Sequence, residues 1–414
     1  MKQRWSMMVL LGSLMLSLPL AAQDKKLVMW SHWAQEPVKV NFLQAVAQGF
    51  EELYGIPVEV VFMPKLELLD KLVFALDTSE PDLTYMELGY SFAHPRIMRS
   101  LADLSDLVFS GDLDPSWQLG SVGDRPNVFI PIEGISHAIY YNKNLFQQAG
   151  IILPTGRAIT NDEFLDMVRT LREAGMTPIG EGSSDREGKI PIPFINTIFR
   201  YAGPAKVEQL YKGTLSFSDP DVVNALMFWK AVVDAQGYDS EKALDLTLLE
   251  GILDVVDGKA AMSFCGTYFY SKYGNTERDR GQIGVMDWFT VDQGVGNNLY
   301  EIIWGAGFAA NARSRYLPEA KRFLEYLMSP EAASLWIRYV QSPYPVLAEK
   351  MPEESLYGIL ATLRTGQQPV PQPFTYRTFD SKAQQHMWQE ETRRFIVGER
   401  AVDQFIERMN SRME

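Results

Sequence analysis

The sequence predicts an α/β protein built on parallel, doubly wound sheet, and three observations carry the prediction. Short buried-strand patterns alternate with amphipathic helical patterns between residues 27 and 86. Strand–helix–strand order brings successive strands side by side in the same direction, which is the sense of a parallel sheet. Residues of the AVILMFWYC set make up 46% of the 414 residues, and aromatic ones 12%, which is ample for a large packed core.

The elements follow in order. Leu27-Val28-Met29-Trp30 is a short buried strand. Val38, Phe42, Ala45, Val46, Phe50 and Leu53 fall on one face of a helix over 38–54, which Gly55-Ile56-Pro57 stops. Residues 58–62 form the next strand, 66–76 a helix, and Pro81-Asp82 opens a strand over 83–86. In sheets of this kind ligands sit beyond the carboxyl ends of the strands. That singles out the loops Ser31-His32-Trp33, Pro64-Lys65 and Glu87-Leu88-Gly89. Further on, 133–141 reads as a strand and 161–174 as a helix capped by Thr160 or Asn161 and stopped by Gly175. Residues 220–235 form a helix capped by Ser218 or Asp219, and 258–264 a turn entering a buried strand. Residues 300–310 form a strand, 318–328 and 331–339 helices, and 381–409 an amphipathic helical tail. No repeat or Gly/Ser linker interrupts the chain, so two domains would be joined by several short crossings rather than one tether.

The N-terminus reads as a secretory signal peptide. Lys2 and Arg4 precede an apolar run from Met7 to Leu18, and Ala21-Ala22 offer small residues for cleavage. The run is about 12 residues, short of the roughly 20 that cross a membrane. With no cysteine near the cleavage point, a lipoprotein is not expected, and no later stretch is long and apolar enough to span a bilayer. The only cysteine, Cys265, lies in an apolar run and reads as a buried, inert thiol. Net charge is −13, and loss of Lys2 and Arg4 takes it to −15, which argues against nucleic acid and anionic membrane surfaces as partners.

Motifs of chemistry are scarce. Gly305-Ala306-Gly307-Phe308-Ala309-Ala310 matches a dinucleotide pattern, yet the apolar run continues into Asn311 where a helix should begin, so a closely packed strand is the better reading. The four histidines, His32, His94, His137 and His386, lack ligand spacing, and no metal or other cofactor is expected. No nucleophile elbow or P-loop is present. Glu51-Glu52 and Glu390-Glu391 read as solvated helix faces. Aromatic residues gather at the inferred loop ends: Trp33, Tyr90, Tyr268, Tyr270, Trp288, Trp304 and Tyr344. Sugar rings pack apolar C–H faces on aromatic planes and bond their hydroxyls to carboxylates and amides, so loops of this composition suit carbohydrate.

The segment Ile130-Pro131 … Ala138-Ile139-Tyr140-Tyr141-Asn142-Lys143-Asn144-Leu145-Phe146 resembles that of the family 1 extracellular solute-binding proteins, the maltodextrin-binding-like receptors of ABC importers. Ser79-Glu80-Pro81-Asp82-Leu83, Asp162-Glu163-Phe164, Gly258-Lys259-Ala260-Ala261-Met262 and the run from Ala320 to Glu331 resemble other family segments in the same order. The Asp162 segment departs from the family pattern: it lacks the usual Pro-x-Thr-Trp lead-in, and Pro154-Thr155-Gly156 has an insertion before it.

The resemblance implies a two-lobed periplasmic-binding-protein fold, each lobe a mainly parallel sheet flanked by helices, joined by a multi-strand hinge and closing on ligand. Residues 1–22 would be the signal peptide, 23–133 plus 305–342 the N-terminal lobe, and 134–304 plus 343–414 the C-terminal lobe. The crossings would fall near 132–134, 303–305 and 342–345. By position the resemblance puts His32, Trp33, Glu87, His137, Tyr268, Glu301 and Trp304 in the cleft; loop placement adds Lys65, and aromatic placement adds Trp288 and Tyr344. The implied protein is a periplasmic, monomeric carbohydrate-binding protein, not an enzyme, that hands its ligand to the transmembrane subunits of an ABC permease. A sensory receptor feeding a membrane kinase or chemoreceptor, a secreted carbohydrate-active enzyme, and a receptor for a non-sugar solute are the alternatives.

Overall fold

The computed structural model describes residues 25–88, 92–184, 191–370 and 379–411; the signal peptide expected at 1–22 and the loop residues Gly89 and Tyr90 lie outside the described residues. The chain opens with β1 (Leu27–Ser31), α1 (Pro37–Tyr54), β2 (Val58–Phe62), α2 (Lys65–Ala75) and β3 (Leu83–Glu87). Pro37 starts α1, where a missing N–H costs nothing, and Gly55 ends it in the left-handed conformation with φ +68. Between them Val38, Phe42, Leu43, Val46 and Phe50 bury one face of the helix. Next come α3 (Pro95–Ser100), β4 (Gly120–Val122), β5 (Arg125–Ile135), β6 (His137–Asn142), α4 (Lys143–Gln148) and α5 (Asn161–Glu173). A capping box between Thr160 and Glu163 fixes the start of α5. The middle of the chain forms β7 (Thr177–Ile179), α6 (Pro191–Tyr211, kinked at Gly203), α7 (Pro220–Asp234), α8 (Leu248–Val256), β8 (Ala260–Gly266), a 3₁₀ turn (Thr267–Lys272) and β9 (Ile283–Met286). The last part forms β10 (Leu299–Glu301), β11 (Ile303–Ala310), α9 (Leu317–Leu327), α10 (Pro330–Tyr339), α11 (Leu356–Leu363), β12 (Gln368–Val370), α12 (Lys382–Ile396) and α13 (Val402–Asn410).

Two sheets organise these elements. The larger has the order β2-β1-β3-β11-β5-β4, the smaller β7-β8-β6-β9, and among the described residues β10 pairs with β12 in a separate two-stranded sheet. The sheets are mixed rather than mainly parallel. β1 runs parallel to β2 and β3, and β7 to β8, because helices provide those crossovers. β11 runs antiparallel to β3 and β5, and β6 antiparallel to β8 and β9. These strands belong to the crossings between the sheets, and a chain that enters or leaves a sheet at one end pairs in the reverse sense.

Two expected strands are each divided between sheets. Residues 133–141 split at Ser136, with β5 in the six-stranded sheet and β6 in the four-stranded one. Residues 300–310 split at Ile302, with β10 paired to β12 and β11 in the six-stranded sheet. The dinucleotide-like Gly305–Ala310 stretch is strand throughout. The helical tail is divided into α12 and α13 around Gly398, and Glu391 is buried between Arg400 and Arg408 rather than solvated.

The buried residues form two apolar clusters. One surrounds the six-stranded sheet, with Trp33, Phe42, Phe50, Met86, Phe308, Phe323 and Trp336, and it continues through Ile135 onto α8 and the 3₁₀ turn. The other packs α5, α6, α7 and α12 about Phe164, Phe194, Trp229, Phe264 and Trp388. Cys265 is buried in the first cluster. Each large side chain so buried contributes roughly 1.5–3 kcal/mol. Among the described residues, no helix is long and apolar enough to cross a membrane.

Candidate functional site

The site lies where the two sheets face each other. Beyond the carboxyl end of β1 the chain passes His32, turns through Trp33–Gln35 and enters α1 at Glu36, with Lys39 one turn later. β3 brings Tyr85 and Glu87, the start of α2 brings Lys65, and β5 brings Glu133 and Ile135. The facing wall is Leu248 of α8 with Tyr268 and Lys272 of the turn after β8. These side chains enclose about 50 Å³, room for a few waters.

Lysine–carboxylate pairs fill the floor. The Lys39 ammonium lies 2.8 Å from Glu36 and 2.6 Å from Glu133, with side chains 2–4% exposed. It also sits 4.8 Å from the centre of the Trp33 ring. From the opposite wall, Lys272 approaches Glu36 to 3.1 Å, and the Ser271 hydroxyl donates to the same carboxylate at 2.5 Å. At the rim Lys65 pairs with Glu87 at 2.6 Å, and Tyr85 donates its hydroxyl to Glu87 at 3.0 Å. Burial pushes the Glu36 carboxyl up, but Lys272 and Lys39 more than offset it and hold the group well below the usual carboxylate range. Burial likewise pulls Lys39 down, and Glu133 and Glu36 outweigh it, so the ammonium is held above its ordinary value. His32 goes the other way. Burial pushes it down to about 3 against the pull of Glu36, and its imidazole stays neutral.

Among the described residues, three ammonium groups and three carboxylates therefore face the cavity in mutual pairs. Such a floor offers donors and acceptors at hydrogen-bond spacing, which a polyhydroxylated ligand can engage from both sides. Among the described residues no group of three or more His, Cys, Asp or Glu is placed to hold a metal ion.

Of the residues expected in the cleft, His32, Lys65, Glu87 and Tyr268 line this cavity together. The structure places the other six elsewhere. Trp33 is fully buried behind the floor, edge-on to Tyr85 and Phe308 and close to Trp336. Trp288 packs on Phe264 and Phe289. Tyr344 packs on Trp336 and donates its hydroxyl to the Leu327 carbonyl. His137 and Glu301 meet at the crossings, Nδ1 to Oε2 3.5 Å, both buried. Trp304 donates its indole N–H to Ser116 at 2.9 Å. A Cβ on Gly134 would come within 2.7 Å of the Trp304 ring and 2.6 Å of Pro343, so the backbone approach between crossings needs a glycine there.

Glu36, Lys39, Tyr85, Glu133, Ile135, Leu248 and Lys272 were not singled out from the sequence. Lys39 carried a readable signal: it is a charge beside the apolar stripe of α1, three residues after Glu36. Lys272, four residues after Tyr268, carried none without the fold.

Comparison with known proteins gives a consistent result. The family described as "Bacterial extracellular solute-binding protein" matches residues 34–334. Two curated relatives, from Brucella abortus (strain 2308) and Brucella suis biovar 1 (strain 1330), are named as binding proteins. Each is 26% identical over 198 residues, 47% of this chain and 46% of the relative, so the match spans about half their length. Solved structures align over 94% of the chain. One, from work on xylan utilisation by Caldanaerobius polysaccharolyticus, has TM-score 0.77 at 19% identity and is covered completely. A chitin oligosaccharide binding protein has TM-score 0.73 at 19% identity, with 98% of it covered. A bacterial solute receptor described as preferring β-D-galactopyranose exclusively has TM-score 0.76 at 15% identity, with 98% covered. At these identities the likeness shows the fold.

Proposed function

We propose that this chain, which belongs to the bacterial extracellular solute-binding protein family, is an exported receptor that binds a sugar or oligosaccharide between two lobes and delivers it to the transmembrane subunits of an ABC importer. The family is one of binding proteins rather than enzymes. The observation that carries the reading is the cavity between the two sheets, lined on one side by paired lysines and carboxylates with His32 and Tyr85, and on the other by Lys272 and Tyr268. Sugar hydroxyls both donate and accept, and they can enter such pairs without leaving a buried charge alone. That the chitin-oligosaccharide and galactopyranose receptors share the fold supports it.

In this reading residues 23–133 plus 305–342 form one lobe and 134–304 plus 343–414 the other. The distribution of strands between the two sheets supports the division. The mature protein begins after cleavage near Ala22 and acts as a periplasmic monomer. His32, Lys65, Glu87 and Tyr268 are its ligand contacts, with Glu36, Lys39 and Lys272 beneath them.

A thermal-shift screen against mono- and oligosaccharides tests the reading. A ligand at about 100 times its Kd adds roughly 2.7 kcal/mol to stability, so a true ligand raises the melting temperature by several degrees. If no sugar does so while a polyamine or an amino acid does, the carbohydrate assignment is wrong.

A further inference from the structure

Outside the cavity, Arg364, the residue just past α11, is a heavily engaged buried cation, 5% exposed. Its guanidinium has three partners. Nε donates to Asp287 Oδ1 at 2.9 Å, Nη1 to the Ser136 hydroxyl at 2.6 Å, and Nη2 to the His137 carbonyl at 2.6 Å. Its Cζ lies 4.8 Å from the centre of the Tyr300 ring. Gln367 holds the other Asp287 oxygen at 2.7 Å.

The position of these partners matters more than their number. Ser136 is the single residue between β5 and β6, where the chain leaves the six-stranded sheet for the four-stranded one. Its hydroxyl donates to the carbonyl of Glu301, the last residue of β10, one residue before the chain returns through β11. Tyr300 is on the same short strand. Asp287 follows β9 of the four-stranded sheet. One rigid fork thus grips the first crossing directly, reaches the second through Ser136 and Tyr300, and is anchored to the smaller sheet by a buried carboxylate.

We propose that Arg364 is a positioning residue for closure, fixing the angle at which the two crossings leave the six-stranded sheet and hence how the two halves face each other around the cavity. A guanidinium is planar, and its N–H directions are fixed, so three acceptors bonded to it are held in one plane; a lysine ammonium on a flexible stem imposes no such relation. Burying the Arg364–Asp287 pair costs desolvation that a hydrophobic pair would avoid, and the contacts to Ser136 and His137 are what that pair has and an apolar one would lack. This inference rests on the reading that the halves close on ligand, but its test needs no ligand and can fail on its own.

The test is an electron-spin distance measurement on the mature, ligand-free chain. Nitroxides are placed at Leu53→Cys on α1 and Met227→Cys on α7, both more than half exposed; Cys265 is fully buried and escapes labelling. Arg364→Met and Ser136→Ala should each broaden the distance distribution and move its maximum by more than about 2 Å, the scale of a domain rearrangement. Arg408→Met removes a partner of buried Glu391 away from the crossings; it should lower the melting temperature and leave the distances alone. Wild-type distances in both Arg364→Met and Ser136→Ala would overturn the proposal, as would equal broadening in Arg408→Met. Full recovery in Arg364→Lys would show that charge suffices and overturn the argument from the planar fork. If Arg364→Met does not fold, Ser136→Ala decides alone, since it keeps the Arg364–Asp287 pair and the His137 contact and cuts only the bridge to the second crossing.

Discussion

The Glu36 carboxylate at the start of α1 lies 3.1 Å from the Lys272 ammonium on the turn after β8, so a charge on the six-stranded side of the cavity is neutralised from the four-stranded side. The two residues are 236 positions apart in the chain. Lys39 and Ser271 complete the coordination of Glu36.

Lys272→Met should loosen this contact without orphaning Glu36, which keeps Lys39 and Ser271. The expected loss is about 1–3 kcal/mol, below the roughly 3–5 kcal/mol for breaking an otherwise unsupported buried pair. Small-angle scattering of the ligand-free variant should give a larger radius of gyration than the wild type. An unchanged radius would mean that the pair does not help hold the halves together.

Lys39→Met should be worse. It leaves the buried carboxylates of Glu36 and Glu133 facing the space that one ammonium now neutralises. A loss of about 3–5 kcal/mol is expected in urea unfolding. Adding Glu133→Gln should restore a substantial part of it, because the charge that lost its cation is then gone while Glu36 keeps Lys272 and Ser271; a double variant no more stable than the single one would argue for lost packing instead.

Half-buried His32 and buried Glu181 should tilt stability in opposite directions with pH. His32, pushed down to about 3, binds a proton less readily folded than unfolded, where its value is near 6.5. Its contribution is present above about 6.5 and is lost as pH falls towards 3. Glu181, whose carboxyl accepts the Phe264 N–H at 2.8 Å, is raised by burial to about 8. Its contribution is full below the unfolded value near 4.5 and is lost as pH rises through 8. Melting across pH 4–9 should show His32→Gln flattening the acid limb and Glu181→Gln stabilising the alkaline limb, each by about 1–3 kcal/mol. Parallel curves for wild type and both variants would refute the assignments.

Tyr268 and Trp33 should separate binding from packing. Tyr268 lines the cavity, and its loss should weaken binding of a sugar found in the screen by roughly tenfold to a hundredfold, about 1–3 kcal/mol. Trp33 is fully buried among Tyr85, Phe308 and Trp336, and Trp33→Ala should cost about 3–5 kcal/mol of stability. Calorimetry and melting of both variants decide it. A Trp33→Ala protein that melts normally but binds poorly would reverse the two roles.

Much of the fold was legible because its signals are local. The apolar stripe of α1 runs between Pro37 and Gly55, Thr160 and Glu163 cap α5, and β1-α1-β2-α2-β3 alternates in a way that permits only parallel pairing. The same reasoning put His32, Lys65 and Glu87 at the carboxyl ends of strands or just past them, where the cavity lies. What each position faces was not legible. Nothing within 133–141 says that Ser136 sends the chain into a second sheet, and nothing near Glu391 says that Arg400 and Arg408 will cover it.

The sequence by itself determined the elements, their order, the parallel start of the first sheet and the loops that line the cavity. Periodicity, caps and turn residues act within a few positions of one another. The tertiary structure alone decided which aromatic residues became core, which charges were paired, and how the crossings were bolted together. Trp33, Trp288 and Tyr344 sit near strand or turn ends like Tyr268 does, yet they are packed by residues from distant segments. Glu36–Lys272, Lys39–Glu133 and Arg364–Ser136 join positions between 94 and 236 apart. Desolvation and pairing depend on what arrives from across the fold, and no local pattern records that.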